Sequence, residues 1–154
     1  MLATEPSAQR TEVPQPAVLG ENRRPLPDAL SGELRKHFSP LRVRYITAVL
    51  SADELLVIHD IRDALILARI QRMPRERLRR FDGYRPANQR EHALYEHAQL
   101  QWLHDEQYLL GLRLGRSPSH RELLVDFAKH QNGLRFRAYY ALKHPQRMRC
   151  VSGS

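Results

Sequence analysis

Apolar residues recur at helical spacing along most of the chain, and this pattern predicts an all-α fold. Asp28 is the predicted cap of a first short helix, in which apolar residues repeat every four positions as far as Phe38. Ser39 and Pro40 open the next element, because Pro suits the first helical turn, where its missing N–H has no partner to lose. Residues 39–50 fit both the spacing of a helix and the alternation of a strand. We predict a helix there, because no partner strand is apparent elsewhere.

Two longer helices are bounded by residues that start and stop helices. Ser51 and Glu54 have the spacing of a capping box, which opens a helix predicted to end near Met73. The second helix begins at Asn88 and ends before Gly115. Its apolar face is broad, which is typical of a helix at the centre of a bundle or in a dimer interface. The apolar residues of this helix are Ala93, Leu94, Ala98, Leu100, Trp102, Leu103, Leu109, Leu110, Leu112 and Leu114.

A further helix is predicted after Ser119, which has the capping-box spacing with Glu122. Asn132-Gly133 then allows two interpretations. Either the dipeptide ends this helix in a turn and another helix follows over residues 134–143, or it marks a bend in a continuous helix.

The sequence therefore predicts a small helical bundle of four to five helices around a long central helix, over residues 28–145. Residues 1–27 hold five of the ten prolines and few large apolar residues, so we expect a disordered Pro-rich tail. Residues 146–154 are expected to form a flexible C-terminal tail.

The composition adds a large positive charge to this predicted fold. The net charge is +8, and only three of the 25 basic residues are Lys. Residues 69–90 hold eight arginines against two acidic residues, and residues 127–154 hold six basic residues and no acidic one. Arg binds phosphate through a planar set of donors, so this bias fits nucleic acid, although a GC-rich genome gives the same bias without a function.

Two Arg-rich segments are the candidate binding surfaces. Basic side chains there would contact phosphates, and a tyrosine would contact a sugar or stack on a base. The alternative is that the arginines only form a solvated face, while Phe136 and Tyr140 pack into a core. The residues predicted to bind nucleic acid are Arg75, Arg77, Arg79, Arg80, Arg85, Arg135, Arg137, Tyr139, Lys143 and Arg147.

Residues 114–123, LGRSPSHREL, join the two helices around Gly115 and Ser119. This stretch resembles the entry to the DNA-binding region of the LexA repressor and a stretch of bacterial sigma factors, where Gly, a Pro-Ser or Pro-Thr pair and Glu-Leu join two helices. The resemblance implies a helix-turn-helix with Gly133 at the turn and residues 134–143 as the recognition helix. The chain departs from those families after Leu124, where Val125-Asp126-Phe127 replaces their small residue.

Histidines are the other candidate for chemistry. His92 and Glu96 are one helical turn apart, and His97 and His104 lie two turns apart on one stripe. The paired Glu-x-x-His helices of di-iron bundles are absent, and buried, hydrogen-bonded histidines explain His97 and His104 more simply. We therefore predict no metal and no cofactor.

The doublet His59-Asp60 is similar to the metal-binding doublet of HD-domain phosphohydrolases, and that resemblance would add His37 as a further ligand. Arg62-Asp63 stands where the family has Gly-Lys, and the spacing puts His59 and Asp63 on the polar face of the predicted helix. We interpret the doublet as a surface pair. No catalytic residue is predicted, and we do not expect an enzyme.

The leading hypothesis is a non-enzymatic, nucleic-acid-binding protein, DNA-binding and regulatory in kind. The alternative is an interaction module that binds an acidic protein partner, or itself, through the helix over residues 89–114. The single Cys150 excludes an internal disulfide. No apolar run is long enough for a secretory signal or a membrane span, so we expect a cytoplasmic location and no membrane partner.

Overall fold

The computed structural model describes residues 25–151 of the chain. Contacts divide it into two compact units, Met1–Ile61 and Arg62–Ser154. Residues 1–24 of the predicted N-terminal tail and residues 152–154 of the predicted C-terminal tail lie outside the described residues.

The first unit contains three helices: α1 (Asp28–His37), α2 (Pro40–Val49) and α3 (Ala52–Leu56). The helix predicted over residues 39–50 is confirmed, and the Ser39 hydroxyl accepts the N–H of Arg42 at its start. The capping box is also present. The Glu54 carboxylate accepts the Ser51 N–H at 2.8 Å, and the Ser51 hydroxyl accepts the Glu54 N–H at 3.1 Å. Asp28 lies inside the first turn of α1 and does not cap it.

The helix predicted from Ser51 to Met73 is broken, so the prediction of one continuous helix is wrong. α3 ends at Leu56, residues 57–62 form turns and bends, and α4 begins at Asp63. Asp63 is only 6 % exposed and not on a polar face. A carboxylate is favoured in the first turn of a helix, and the contacts of Asp63 within its own unit outweigh the continuous spacing.

The second unit has five helices, two 3-10 turns and a two-stranded sheet. The described residues thus hold eight α-helices where four or five were expected, because the predicted helix over residues 51–73 breaks and the Arg-rich segment is itself helical. The elements are α4 (Asp63–Gln71), α5 (Arg75–Arg79), a 3-10 turn (Arg80–Gly83), β1 (Tyr84–Pro86), α6 (Gln89–Leu114), α7 (His120–Lys129), α8 (Asn132–Lys143), a second 3-10 turn (Pro145–Arg147) and β2 (Met148–Cys150).

The limits of α6 and the start of α7 follow the predicted local chemistry. The Asn88 side chain accepts the N–H of Glu91 at 3.0 Å, and Gly115 ends α6 with a left-handed φ of 74°. Ser119 and Glu122 form the complete capping box of α7. These bonds satisfy N–H groups that a helix start leaves without partners, which is why sequence spacing alone locates them.

The junction between α7 and α8 is a turn and not a bend. It lies just before the predicted Asn132-Gly133, because Gln131 adopts the left-handed conformation with φ 55° and Asn132 already begins α8. Asn132 is 5 % exposed, and its amide donates to Glu106 of α6 at 3.3 Å. This contact with another helix fixes the start of α8.

Helix α8 is the most deeply buried long element of the second unit. Phe136 and Ala138 are fully buried, and the Phe136 ring lies 5.0 Å from Tyr95 and 5.5 Å from Trp102 of α6, measured between ring centroids. The predicted all-α fold with a long helix is confirmed. Yet α6 has only Tyr95 and Leu110 buried, so the core is organised around α8.

Strands β1 and β2 pair as a two-stranded antiparallel ribbon. The expected flexible tail from Gln146 onward instead forms a 3-10 turn and a strand, and Met148 is only 7 % exposed. Strands of three residues leave no alternating pattern long enough to predict. Burial of Met148 and the ladder of backbone hydrogen bonds hold this segment in place.

The ion pair at the start of α7 predicts a pH-dependent contact. Both Arg116 Nη atoms bond the carboxylate of Glu122, at 2.6 and 2.9 Å, and this guanidinium, followed by the Ser119 N–H, lowers the pKa of Glu122 from 4.5 to about 2. Because the folded-state pKa is lowered, the stabilising contribution is complete above about pH 4.5 and is lost as the pH falls toward 2. An NMR titration of the Glu122 carboxyl carbon should show a midpoint near 2.

The matched variants are Arg116→Gln, which should raise that midpoint, and Arg121→Gln, which removes an exposed charge without this contact and should not. A wild-type midpoint near 4.5 would contradict the ion pair.

Candidate nucleic-acid interface

The Arg-rich segment over residues 75–85 folds into α5, the first 3-10 turn and the start of β1. Pro74 precedes α5, and Leu78, at 2 % exposure, turns one side of this short helix toward the core. Phe81 and Tyr84 are partly buried against the same core. With its apolar side chains turned inward, the segment has its arginines on the solvent side.

Four arginines of this segment, Arg75, Arg77, Arg79 and Arg80, are exposed. None of the four guanidinium groups makes a hydrogen bond or an ion pair with the part of the chain that the structure describes. Arg85 is also exposed, and its Nη1 donates to the backbone carbonyl oxygens of Asp82 and Tyr84. The segment therefore presents guanidinium groups that no carboxylate of residues 25–151 neutralises.

The predicted binding residues on α8 are engaged within the protein. Arg135 donates to the Gln71 side chain at 3.0 Å, and Arg137 donates to the Tyr95 hydroxyl at 3.2 Å. Arg137 also lies 3.5 Å from the Asp82 carboxylate. These contacts hold α8 against neighbouring elements of its unit.

Lys143 and Tyr139 enclose the carboxylate of Asp63. The Lys143 ammonium lies 2.7 Å from Asp63 Oδ2, and the Tyr139 hydroxyl donates to the same oxygen at 2.9 Å. Lys143 is 3.2 Å from the Tyr139 hydroxyl and 5.6 Å from the centre of its ring. A carboxylate that is 6 % exposed needs such partners, because an unpaired buried charge is costly.

Arg147 is likewise engaged, since its Nε lies 3.5 Å from Glu91 and its Nη1 lies 3.5 Å from the Tyr140 hydroxyl. The hydrogen bond to Tyr140 raises the pKa of Arg147 above its ordinary value. Burial, followed by the positive charges of Arg147 and Lys143, lowers the pKa of His144. The end of α8 is thus an internal polar cluster.

The two predicted Arg-rich segments therefore differ in availability. Leu142 is the one exposed residue of α8, so the helix that the resemblance makes a recognition helix is mostly packed within its own unit. The stretch that resembles LexA supplies a helix stop at Gly115 and a helix start at Ser119. The exposed arginines of residues 75–85 are left as the candidate surface.

One further basic residue lies beside this surface. Arg149 of β2 is exposed and stands directly opposite Arg85 in the sheet register. The excess of basic residues near the C-terminus included it, but only the pairing of β1 with β2 shows which residue it faces.

The histidines are not where the sequence predicts them. His97 and His104 are exposed and not buried, and His92 lies 3.6 Å from the Glu96 carboxylate on the surface. Within residues 25–151, no three His, Cys, Asp or Glu side chains are grouped so that they could hold a metal ion. No helix in that range is long and apolar enough to cross a membrane.

Comparison with known proteins adds no identification. No family model, no curated protein and no solved structure matches this chain.

The engagement of Lys143 predicts a loss of stability when this residue is replaced. Lys143→Met leaves the Asp63 carboxylate with one donor fewer and should lower the free energy of unfolding by about 1–3 kcal/mol. Urea denaturation measures this change. Replacing both partners, as Asp63→Asn/Lys143→Met, should restore part of the loss, because no unpaired charge remains. A Lys143→Met variant as stable as the wild type would contradict the structural role.

Proposed function

We propose that the protein binds nucleic acid through the basic surface formed by Arg75, Arg77, Arg79, Arg80 and Arg85. The observation that carries the proposal is that the first four guanidinium groups have no partner among the described residues, whereas the basic residues of α8 are paired internally. Neighbouring positive charges repel one another, and an anionic ligand relieves that repulsion. Planar guanidinium donors match phosphate oxygens.

The mode of binding follows from which side chains are free. Phe81 and Tyr84, the aromatics of this segment, pack against the core and are not free platforms for base stacking. The surface therefore contacts the phosphate backbone, which supplies affinity without reading sequence. As a non-enzymatic cytoplasmic protein it acts by occupying nucleic acid, which is compatible with a regulatory role.

The proposal predicts a steep dependence of affinity on salt that belongs to this surface. Changing Arg75, Arg77, Arg79 and Arg80 together to Gln should weaken binding to labelled duplex DNA or RNA. The slope of log affinity against log salt should fall by about 0.9 for each phosphate that the variant no longer neutralises. Fluorescence anisotropy titrations across a salt series measure both quantities.

The control removes the same number of positive charges elsewhere. Four basic residues are exposed on α1 and α2: Arg35, Lys36, Arg42 and Arg44. Changing these four to Gln should leave most of the slope of log affinity against log salt. Equal reductions in both variants would attribute binding to net charge alone. Absence of binding by the wild type at low salt would remove the proposal and favour an acidic protein partner for the same surface.

A second candidate function, self-association, is favoured by an exposed face of α6. Leu100 is 60 % exposed and Tyr108 is 52 % exposed, and from Ala93 to Leu112 this face contains no Asp, Glu, Lys or Arg, with Arg90 one turn before it. On a chain with a net charge of +8, an uncharged face is where a second copy can approach with least repulsion. The α6 face consists of Ala93, Leu94, His97, Leu100, Gln101, His104, Tyr108 and Leu112.

Self-association through the α6 face predicts a monomer–dimer equilibrium that one charge disrupts. Leu100→Lys places an ammonium in the face and should shift sedimentation-velocity profiles to monomer, because a charge without a partner is costly to bury. Leu41→Lys is the control, since Leu41 is 72 % exposed on α2. A wild type that stays monomeric at its highest soluble concentration would exclude this candidate.

A further inference from the structure

Two arginines face each other across the ribbon of β1 and β2. Arg85 pairs with Arg149, between the pairs Tyr84 with Cys150 and Pro86 with Met148. Both arginines are exposed. Like charges placed directly opposite each other in a sheet destabilise it, so the pair needs an explanation.

The hydrogen-bond ladder fixes how close the two backbones are. The N–H of Ala87 donates to Arg147 and the N–H of Val151 donates to Gly83, both at 2.9 Å, on either side of the arginine pair. Arg85 and Arg149 therefore occupy a hydrogen-bonded pair of the ladder, where the Cα atoms are about 5.5 Å apart. Two guanidinium groups on stems this close can contact one small anion together.

The direction of the two side chains is set by the opposite face of the ribbon. Successive residues of a strand point to alternate faces, and Met148, at 7 % exposure, belongs to the core cluster. Tyr84 is packed against that cluster. Arg85 and Arg149 therefore lie on the outer face.

No carboxylate of the described chain compensates the two charges. Arg85 uses Nη1 for the backbone carbonyls of Asp82 and Tyr84, and its other guanidinium nitrogens have no hydrogen bond within residues 25–151. The Arg149 guanidinium makes no hydrogen bond or ion pair in the same range. The donors that remain can be shared by the oxygens of a tetrahedral anion.

We propose that Arg85 and Arg149 form a phosphate clamp, in which both guanidinium groups bind a single phosphate. The bound phosphate places negative charge between two positive charges, and its attraction for both guanidinium groups outweighs their mutual repulsion. The clamp deepens the nucleic-acid-binding function proposed above and rests on it for the source of the phosphate, a nucleic-acid backbone. A free phosphate would use the same donors.

The first test measures thermal stability without nucleic acid. Inorganic phosphate, compared with sodium chloride at equal ionic strength, should raise the melting temperature of the wild type by on the order of 1–5 °C. Arg149→Gln and Arg85→Gln should each remove this gain. Arg42→Gln, a change at an exposed site on α2, should keep it. The same gain in the Arg85→Gln/Arg149→Gln double variant would overturn the clamp.

The second test is a double-mutant cycle on duplex binding. Because both residues hold one phosphate, each single change to Gln should weaken affinity roughly 3- to 10-fold, and the double variant should be weakened about as much as one single variant. Effects that multiply would mean two separate phosphates and would overturn the clamp while leaving the proposed function intact.

The two failures are thus distinguishable. If the wild type does not bind nucleic acid, but phosphate stabilises it only when both arginines are present, the proposed function fails and the clamp stands as a site for a free phosphate group. If nucleic acid binds and neither arginine matters in either test, the clamp fails and the basic surface stands.

Discussion

The packing of α8 against aromatic side chains of α6 is the interaction on which the rest of the second unit depends. The Phe136 ring contacts Tyr95 and Trp102, and the Tyr140 ring contacts Tyr95 and Phe136, with centroids 5.0–5.8 Å apart in tilted and edge-on arrangements. Such rings bury a large apolar area in one defined geometry. One side of α6 therefore packs against α8. The other side of α6, around Leu100, has no apolar cover from the described chain.

The burial of α8 also decides which positive charges are available. A helix enclosed on most sides can carry Arg or Lys only where its long stem reaches a partner at the edge, as Arg137 does with Tyr95 and Lys143 with Asp63. Helix α5 is short and anchored by Leu78 alone, so its arginines have no such constraint. Similar densities of positive charge therefore differ in how accessible they are, because of the burial of the helix that carries them.

The features predicted correctly from the sequence are those that local chemistry determines. Ser51, Asn88 and Ser119 cap helices whose N–H groups lack partners wherever the helix lies, and Gly115 permits the left-handed turn. The burial of Asp63 and the pairing of β2 depend on residues distant in sequence, so no local spacing reveals them. For the candidate site, composition located the arginines of residues 75–85 but could not tell that those of α8 are engaged internally.

The register of the ribbon explains why the opposed arginines cannot relax. A slip of one residue would turn Met148 outward and bring an arginine against the core cluster, because side chains alternate between the two faces of a strand. Pro86 adds a second constraint, since it has no N–H and is compatible only with a position where the ladder needs no donor, which the present register provides. The core contacts of Met148 thus hold Arg85 opposite Arg149, and the repulsion between them persists unless an anion lies on the outer face.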